Sequence, residues 1–303
     1  MSVFNVELKK IVDDSYDIEV GFELSNKLVS DIKNGLAGNI KKFAVVTDLA
    51  GFVAGTYGRG VPFINYATTL LAAADASVGG KTAVDTPLAT NLIGLFNQPK
   101  KVYIDIAAWR TLPPRQLYSG MAETIKHGCL ADKDFFDYLK INIEKIYSGD
   151  KAACEHIAET NCRIKYNVVM KDERESGLRE ILNLGHTIGR AIETVSDYKL
   201  LHGEAVAIGL AAEVRLSNKL GYMSDDEMND VIELLKKAHL PTAIPEYIDR
   251  ETLVKKLYTD KKVKNGQLRF VLQNGIGDIV QFGENVFAAP ISEDLAREII
   301  WEC

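Results

Sequence analysis

Apolar residues in the first hundred positions switch between two periods. Residues 3–22 alternate around a polar turn at Asp13–Asp14–Ser15, which predicts two short strands. Leu24, Leu28, Ile32 and Leu36 then recur every fourth residue, the spacing of one helix face. The run KKFAVVTD predicts a buried strand ending at Asp48. A parallel α/β sheet of the dinucleotide-binding kind often opens this way. After Asp48 the pattern changes at once to LAGFVAGTYGRG, a small-residue helical segment, so the units that would complete a doubly wound sheet are missing. No GxGxxG turn follows the strand. VPFINYATT predicts a short strand, a small-residue helical piece leads to Gly79–Gly80–Lys81, and KKVYIDI predicts a strand ending near Asp105.

From about residue 113 helical spacing takes over. PPRQLYSGMAETIKHGCL, FFDYLKINIEKIY, ACEHIAETNCRIKYNVVMKDE, HTIGRAIETV and EAVAIGLAAEVRLSNKL each predict a helix. TDKKVKNGQLRFVL predicts a turn at its KNG followed by a strand. The expected fold class is α/β plus all-α. A truncated Rossmann-like N-terminal domain (1–112) precedes a mainly helical C-terminal domain that binds metal and substrate (113–303).

Composition narrows the function classes. The 303 residues carry a net charge of −6, so a generic nucleic-acid binder is not expected and any anion site must be local. Cys129, Cys154, Cys162 and Cys303 form no CxxC pair and read as scattered reduced thiols. The N-terminus lacks the apolar core of a signal peptide, and no apolar run reaches the roughly 18 residues that span a bilayer. These features predict a soluble cytoplasmic protein.

The candidate chemistry lies in four places. Glu123 and Lys126 share a helix face in GMAETIKHG, flanked by small residues that suggest partial burial. His186 and His202 each sit beside a glycine at a loop–helix boundary. One Glu and two His can hold zinc with a position left open, although spacings of 63 and 16 residues match no compact zinc signature. Gly79–Gly80–Lys81 lacks the GxxxxGK frame, since position 75 is Asp, but such a turn can present backbone amides and an ammonium to an oxyanion. Arg59, Lys165, Arg179 and Asn183 are further anion-binding candidates.

Taken together, RGVPFINYATTLLAAADASVGGKTAVD, LPPRQLYSGMAETIKHG, DERESGLREILNLGHTIGRAIE, LHGEAVAIG and DKKVKNGQLRFVL resemble 3-dehydroquinate synthase, a sugar-phosphate cyclase, in colinear order over residues 48–282. The resemblance implies a divalent metal, zinc or cobalt, on Glu123, His186 and His202, with NAD as redox cofactor. It implies 3-deoxy-D-arabino-heptulosonate 7-phosphate as substrate, and 3-dehydroquinate and phosphate as products, in the shikimate pathway. By match, Lys81, Lys126, Lys165, Arg179 and Lys261 grip phosphate and carboxylate. Asp75, Asn91 and Asn183 orient hydroxyls, and Arg59 reaches in from the second subunit of a homodimer. Asp48, Thr68, Thr69, Thr111 and Leu112 fall on the cofactor side.

The sequence also departs from that pattern. Several dozen residues expected between the VVTD strand and the DLAGF helix, with their glycine-rich pyrophosphate turn, are absent, and Asp48 ends one landmark and begins the other. Weakened or lost NAD binding is the expected consequence. Arg190 replaces a histidine, keeping an anion contact without proton exchange near neutral pH. Thr90 and Gln116 replace a lysine and a glutamate on the cofactor side. The alternatives are an impaired metal-binding remnant and a related cyclase.

Overall fold

The computed structural model describes residues 13–36, 48–84, 91–258 and 267–303. The first expected strand, the strand before Asp48, Thr90, Lys261 and the KNG turn lie outside the described residues, as does the Asp48 side chain. In chain order the N-terminal part runs β1 (Asp17–Gly21), α1 (Ser25–Asp31), α2 (Asp48–Thr56), β2 (Asn65–Ala67), β3 (Lys81–Val84), β4 (Ile93–Phe96) and β5 (Lys101–Asp105). β1, β5 and β2 form a parallel sheet in that order, with Gly21 opposite Asp105 and Ala67 opposite Ile104. Central β5 has Val102, Tyr103 and Ile104 fully buried, as expected for a parallel strand covered on both faces.

Two expectations need correction. The helix read through Leu36 keeps regular form only to Asp31, because Gly35 takes a φ of 99° in the wide turn Ile32–Leu36. Lys81, read as the end of a turn, begins a strand instead. β3 and β4 pair antiparallel, with Lys81 opposite Phe96. Strands of four residues are too short to display a period, which is why this pair was not legible.

The helical part comprises α3 (Pro114–Ala131), α4 (Lys133–Tyr147), α5 (Lys151–Lys171), α6 (His186–Val195), α7 (His202–Lys219), α8 (Asp225–Lys237) and α9 (Arg250–Leu257). An antiparallel pair, β6 (Leu268–Val271) and β7 (Ala288–Ile291), and α10 (Glu293–Glu302) follow. The starts are chemically marked. Pro114 opens α3, where its missing N–H costs nothing. Asp132, Asp150 and Asp249 accept from the amides of Phe135, Ala153 and Thr252, and Ser224 and Glu227 form a reciprocal box on α8. One apolar cluster runs from Ala67 and Leu70 beside β2, through β5, into α3, α4, α5 and α7. A second joins α6, α7, α9, β6 and α10. All four cysteines are buried and free. Among the described residues no helix is long and apolar enough to cross a membrane.

Candidate metal and anion site

Glycines bring the three expected ligands together. α7 begins so close to α3 that a Cβ on Gly203 would lie 1.8 Å from the Ser119 carbonyl oxygen, and the Gly203 amide donates to Ser119 Oγ at 3.0 Å. This contact holds His202 over the turn of α3 that carries Glu123. Two turns along α7, a Cβ on Gly209 would lie 2.0 Å from the Gly185 carbonyl oxygen. That approach seats the start of α6, and with it His186, against the same helix.

The result is a compact cluster. His202 Nε2 lies 3.1 Å and His186 Nε2 3.5 Å from Glu123 Oε1, and one ligand atom from each residue fits within 4.8 Å of the others. Both rings are anchored through the opposite nitrogen, His202 Nδ1 to Glu193 Oε1 at 2.9 Å and His186 Nδ1 to the Leu184 carbonyl at 3.1 Å. Such outer partners fix a ligating imidazole in orientation and tautomer. Burial works against a charged His202, yet hydrogen bonds to Glu123 and Glu193 outweigh it and push its pKa up to about 10. Burial, reinforced by Lys126, holds His186 well below the usual histidine value. Burial alone would raise Glu123, but Lys126 and His186 hold it below the ordinary carboxylate range.

Two basic groups act on this cluster directly, Lys126 on Glu123 and Arg190 on His186. Lys126 and Glu123 are both fully buried, beyond the partial burial that small flanking residues suggested. Lys126 pairs with Glu123 Oε2 and donates to the Leu182 carbonyl at 2.9 Å. Lys165 meets Asp75 Oδ1 at 2.7 Å. Burial would raise Asp75, but Lys165 and Lys126 keep it well below its usual value. Arg179, 2% exposed, donates to the Gly79 and Glu173 carbonyls. Arg190 lies one turn after His186 on α6, and its charge acts on both His186 and Lys81.

Glu175 was not anticipated. It pairs with Lys81 and accepts from Asn183 Nδ2 at 2.7 Å, joining two expected site residues through one carboxylate. Its backbone is left-handed, at a φ of 59°. Asp172 builds the loop that presents it, accepting from the amides of Ser176, Gly177 and Arg179 at 2.8–3.0 Å. The available sequence signal was an aspartate four residues before a Ser-Gly pair in DERESG. Burial would raise Asp172, but these amides hold it at about 2, against an ordinary 3.8. A depressed carboxylate contributes stability above its unfolded pKa and loses it as pH falls through the folded one. Asp172→Asn should therefore destabilise the protein at pH 7 in urea unfolding, and the difference should close as pH approaches about 2. An equal difference at both pH values would refute this role.

Other expectations fare differently. The Gly79–Gly80 turn is not an open anion cradle. The Gly79 amide donates to Tyr16 Oη at 3.1 Å, and a Cβ on Gly80 would collide with Gln98. Arg59 is exposed in the 3₁₀ turn Tyr57–Arg59 that follows α2, with a φ of 67°. Asn91, with a φ of 53°, sits exposed just before β4. Thr68 and Thr69 follow β2, where Thr69 Oγ1 accepts from the Ala72 amide at 3.0 Å. Thr111 ends the 3₁₀ turn Ile106–Thr111 and donates to the Ala108 carbonyl, and Leu112 caps it. Gln116 is exposed on the first turn of α3.

Fold and site together define an α/β-plus-helical protein with a candidate cation cluster set among buried basic groups. A family model described as the 3-dehydroquinate synthase N-terminal region matches residues 43–119, and one for the C-terminal region matches residues 120–263. The 3-dehydroquinate synthase of Ruminiclostridium cellulolyticum is 42% identical over 93% of this chain and 79% of its own length. That of Acetivibrio thermocellus is 46% identical over 84% of this chain and 69% of its own. The chain belongs to the 3-dehydroquinate synthase family. The fold also matches 2-epi-5-epi-valiolone synthase from Streptomyces hygroscopicus subsp. jinggangensis, solved with NAD+ and Zn2+ bound, at a TM-score of 0.83, 21% identity and 99% coverage of both chains. A 2-deoxy-scyllo-inosose synthase complexed with carbaglucose-6-phosphate, NAD+ and Co2+ matches at a TM-score of 0.76 and 26% identity, over 92% of this chain and 80% of its own.

Proposed function

We propose that this chain is a 3-dehydroquinate synthase-type cyclase, a carbon–oxygen lyase acting on 3-deoxy-D-arabino-heptulosonate 7-phosphate to give 3-dehydroquinate and phosphate. One observation carries the reading: two anchored imidazoles converge on Glu123, which is itself ion-paired to the fully buried Lys126. The donor set suits zinc or cobalt, since each ring keeps Nε2 free of protein partners other than Glu123. Such an ion would supply Lewis-acid polarisation of substrate hydroxyls.

The chain's own groups account for binding and charge. Lys126, one turn beyond Glu123, places a positive charge beside hydroxyls held at the cluster. Lys165 and Asp75 form a fixed ion pair that orients further hydroxyls, and Asn183 offers an amide. Lys81, Arg179 and Arg190 stabilise a departing phosphate. Glu175 occupies Lys81 and Asn183 until substrate oxygens replace it. Residues 1–112 would form the sheet domain, and 113–303 the domain carrying metal and substrate.

NAD fits the described residues poorly. In parallel sheets the pyrophosphate lies at a helix N-terminus beyond a strand's carboxyl end. Here Asp105 accepts from the Glu23, Leu24 and Ala107 amides at 2.8–3.1 Å, and so caps the turns after both β1 and β5. Thr69 caps the turn after β2. No glycine cradle follows a parallel strand among the described residues. This favours a second reading, a protein that binds metal and substrate without turnover. Metal-loaded protein should be assayed for phosphate release with and without NAD, alongside calorimetry with substrate. NAD-dependent release supports the first reading. Binding without release supports the second, and absence of both refutes the two together.

A homodimer fits the exposed face of α2. Leu49, Val53 and Tyr57 form a stripe at helical spacing, 57%, 50% and 71% exposed, leading to Arg59. A second copy covering this stripe would carry Arg59 toward its partner's site. Sedimentation should give a dimer that Val53→Asp converts to monomer, and a monomeric parent protein would refute the assignment.

A further inference from the structure

Glu175 puts a carboxylate among groups that suit an incoming anion. It pairs with Lys81, accepts from Asn183 Nδ2 at 2.7 Å, and lies within the field of Arg179. Burial would raise its pKa, but Lys81, Asn183 and Arg179 hold it below the ordinary carboxylate value. Arg190 acts on the same Lys81 from α6. The pair is open to solvent, with the Lys81 side chain 43% and that of Glu175 28% exposed, so an ion arriving from outside reaches the same groups.

The carboxylate is held in place before any ligand arrives. Glu175 keeps its left-handed backbone inside the loop that Asp172 ties through the amides of Ser176, Gly177 and Arg179. That conformation is unfavourable for a residue with a Cβ, so the loop imposes it. Lys81 lies on β3, 94 residues away in the chain, and the contact joins the β3–β4 hairpin to the loop after α5. A carboxylate tethered in this way competes with a free anion at a high effective concentration.

We infer that Glu175 is a specificity-determining residue, an internal anion that closes the phosphate subsite to free phosphate and expels the phosphate product. The inference rests on the cyclase reading. A phosphate ester whose hydroxyls are held at the Glu123–His186–His202 cluster has a second foothold, and so displaces Glu175 from Lys81 and Asn183. Once elimination has severed phosphate from the carbon skeleton, the ion has only the groups of the subsite to hold it. Glu175 then returns to Lys81 and Asn183, and phosphate leaves.

Titration calorimetry with inorganic phosphate reads this on the full chain, without NAD or turnover. Glu175→Gln keeps an oxygen for Asn183 and leaves the Asp172 bonds in place. It should bind phosphate about fivefold more tightly than the parent, or better, because the closed fraction of sites no longer weakens binding. Glu175→Ala should show the same gain. Glu173, two residues away, accepts from Gln98 Nε2 at 2.9 Å instead. Glu173→Gln removes the same charge from the loop and should leave phosphate affinity within about twofold of the parent. Adding Lys81→Ala to Glu175→Gln should cancel the gain. Equal affinity in the parent and both Glu175 variants, an equal gain in Glu173→Gln, or no phosphate bound by any of them would overturn the inference. The cyclase reading fails separately, when metal-loaded protein given substrate and NAD releases no phosphate.

Discussion

Glu123→Ala is expected to strip the protein of divalent metal and to cost about 3–5 kcal/mol of stability. The two effects have separate causes. Metal is lost because Glu123 is the carboxylate on which both imidazoles converge. Stability is lost because Lys126, fully buried, would lose its ion-pair partner and be left with the Leu182 carbonyl and the neighbouring Asp75 charge. Glu123→Gln separates them. It keeps the shape and a hydrogen-bonding oxygen, so metal content should still fall while the stability loss is smaller. Elemental analysis of protein purified without chelator, with denaturant unfolding on the same samples, reads both. Unchanged metal in both variants would show that the ligand assignment is wrong.

Gly203→Ala should be nearly as damaging, although it changes no charged or polar side chain. The added methyl would lie 1.8 Å from a backbone oxygen that has no rotamer through which to retreat. Relief requires α7 to move off α3, a cost of about 3 kcal/mol. The melting temperature should fall by roughly 6 °C or more. Because His202 is the neighbouring residue, the same movement separates it from Glu123, and metal affinity should fall with stability. A variant that melts like the parent and holds metal equally would refute the account of how the cluster is assembled.

The sequence was most legible where long periodic stretches met explicit start signals. Pro114 and the apolar spacing that follows announced α3, and α4 through α7 appeared at the expected places. Short elements were not legible, as β3 and β4 illustrate. The cluster was only weakly legible in the residues themselves, and the resemblance made it specific. Candidate ligands separated by 63 and 16 residues are joined by two helix–helix approaches, and those depend on Gly203 and Gly209 meeting Ser119 and Gly185. Nothing in local spacing predicts such pairings. Lys126 is fully buried, and its small neighbours hinted at that. Glu175 escaped notice because a charged loop residue reads as solvated until the partner it faces is known.

The placement of β5 bears on how the protein is made. β1 and β2 pair only with β5 among the described strands, and the Asp105 carboxylate that ties their ends lies 82 residues beyond Glu23 and 39 beyond Tyr66, whose hydroxyl it also accepts. During synthesis β1 and β2 leave the ribosome before β5, the strand that each pairs with among the described residues. Until it arrives that pairing is missing, and a strand with an unpaired edge is open to aggregation and to chaperone capture. Once β5 emerges, sheet pairing and the closing of its rim become possible together, so the N-terminal part should fold as a single late event.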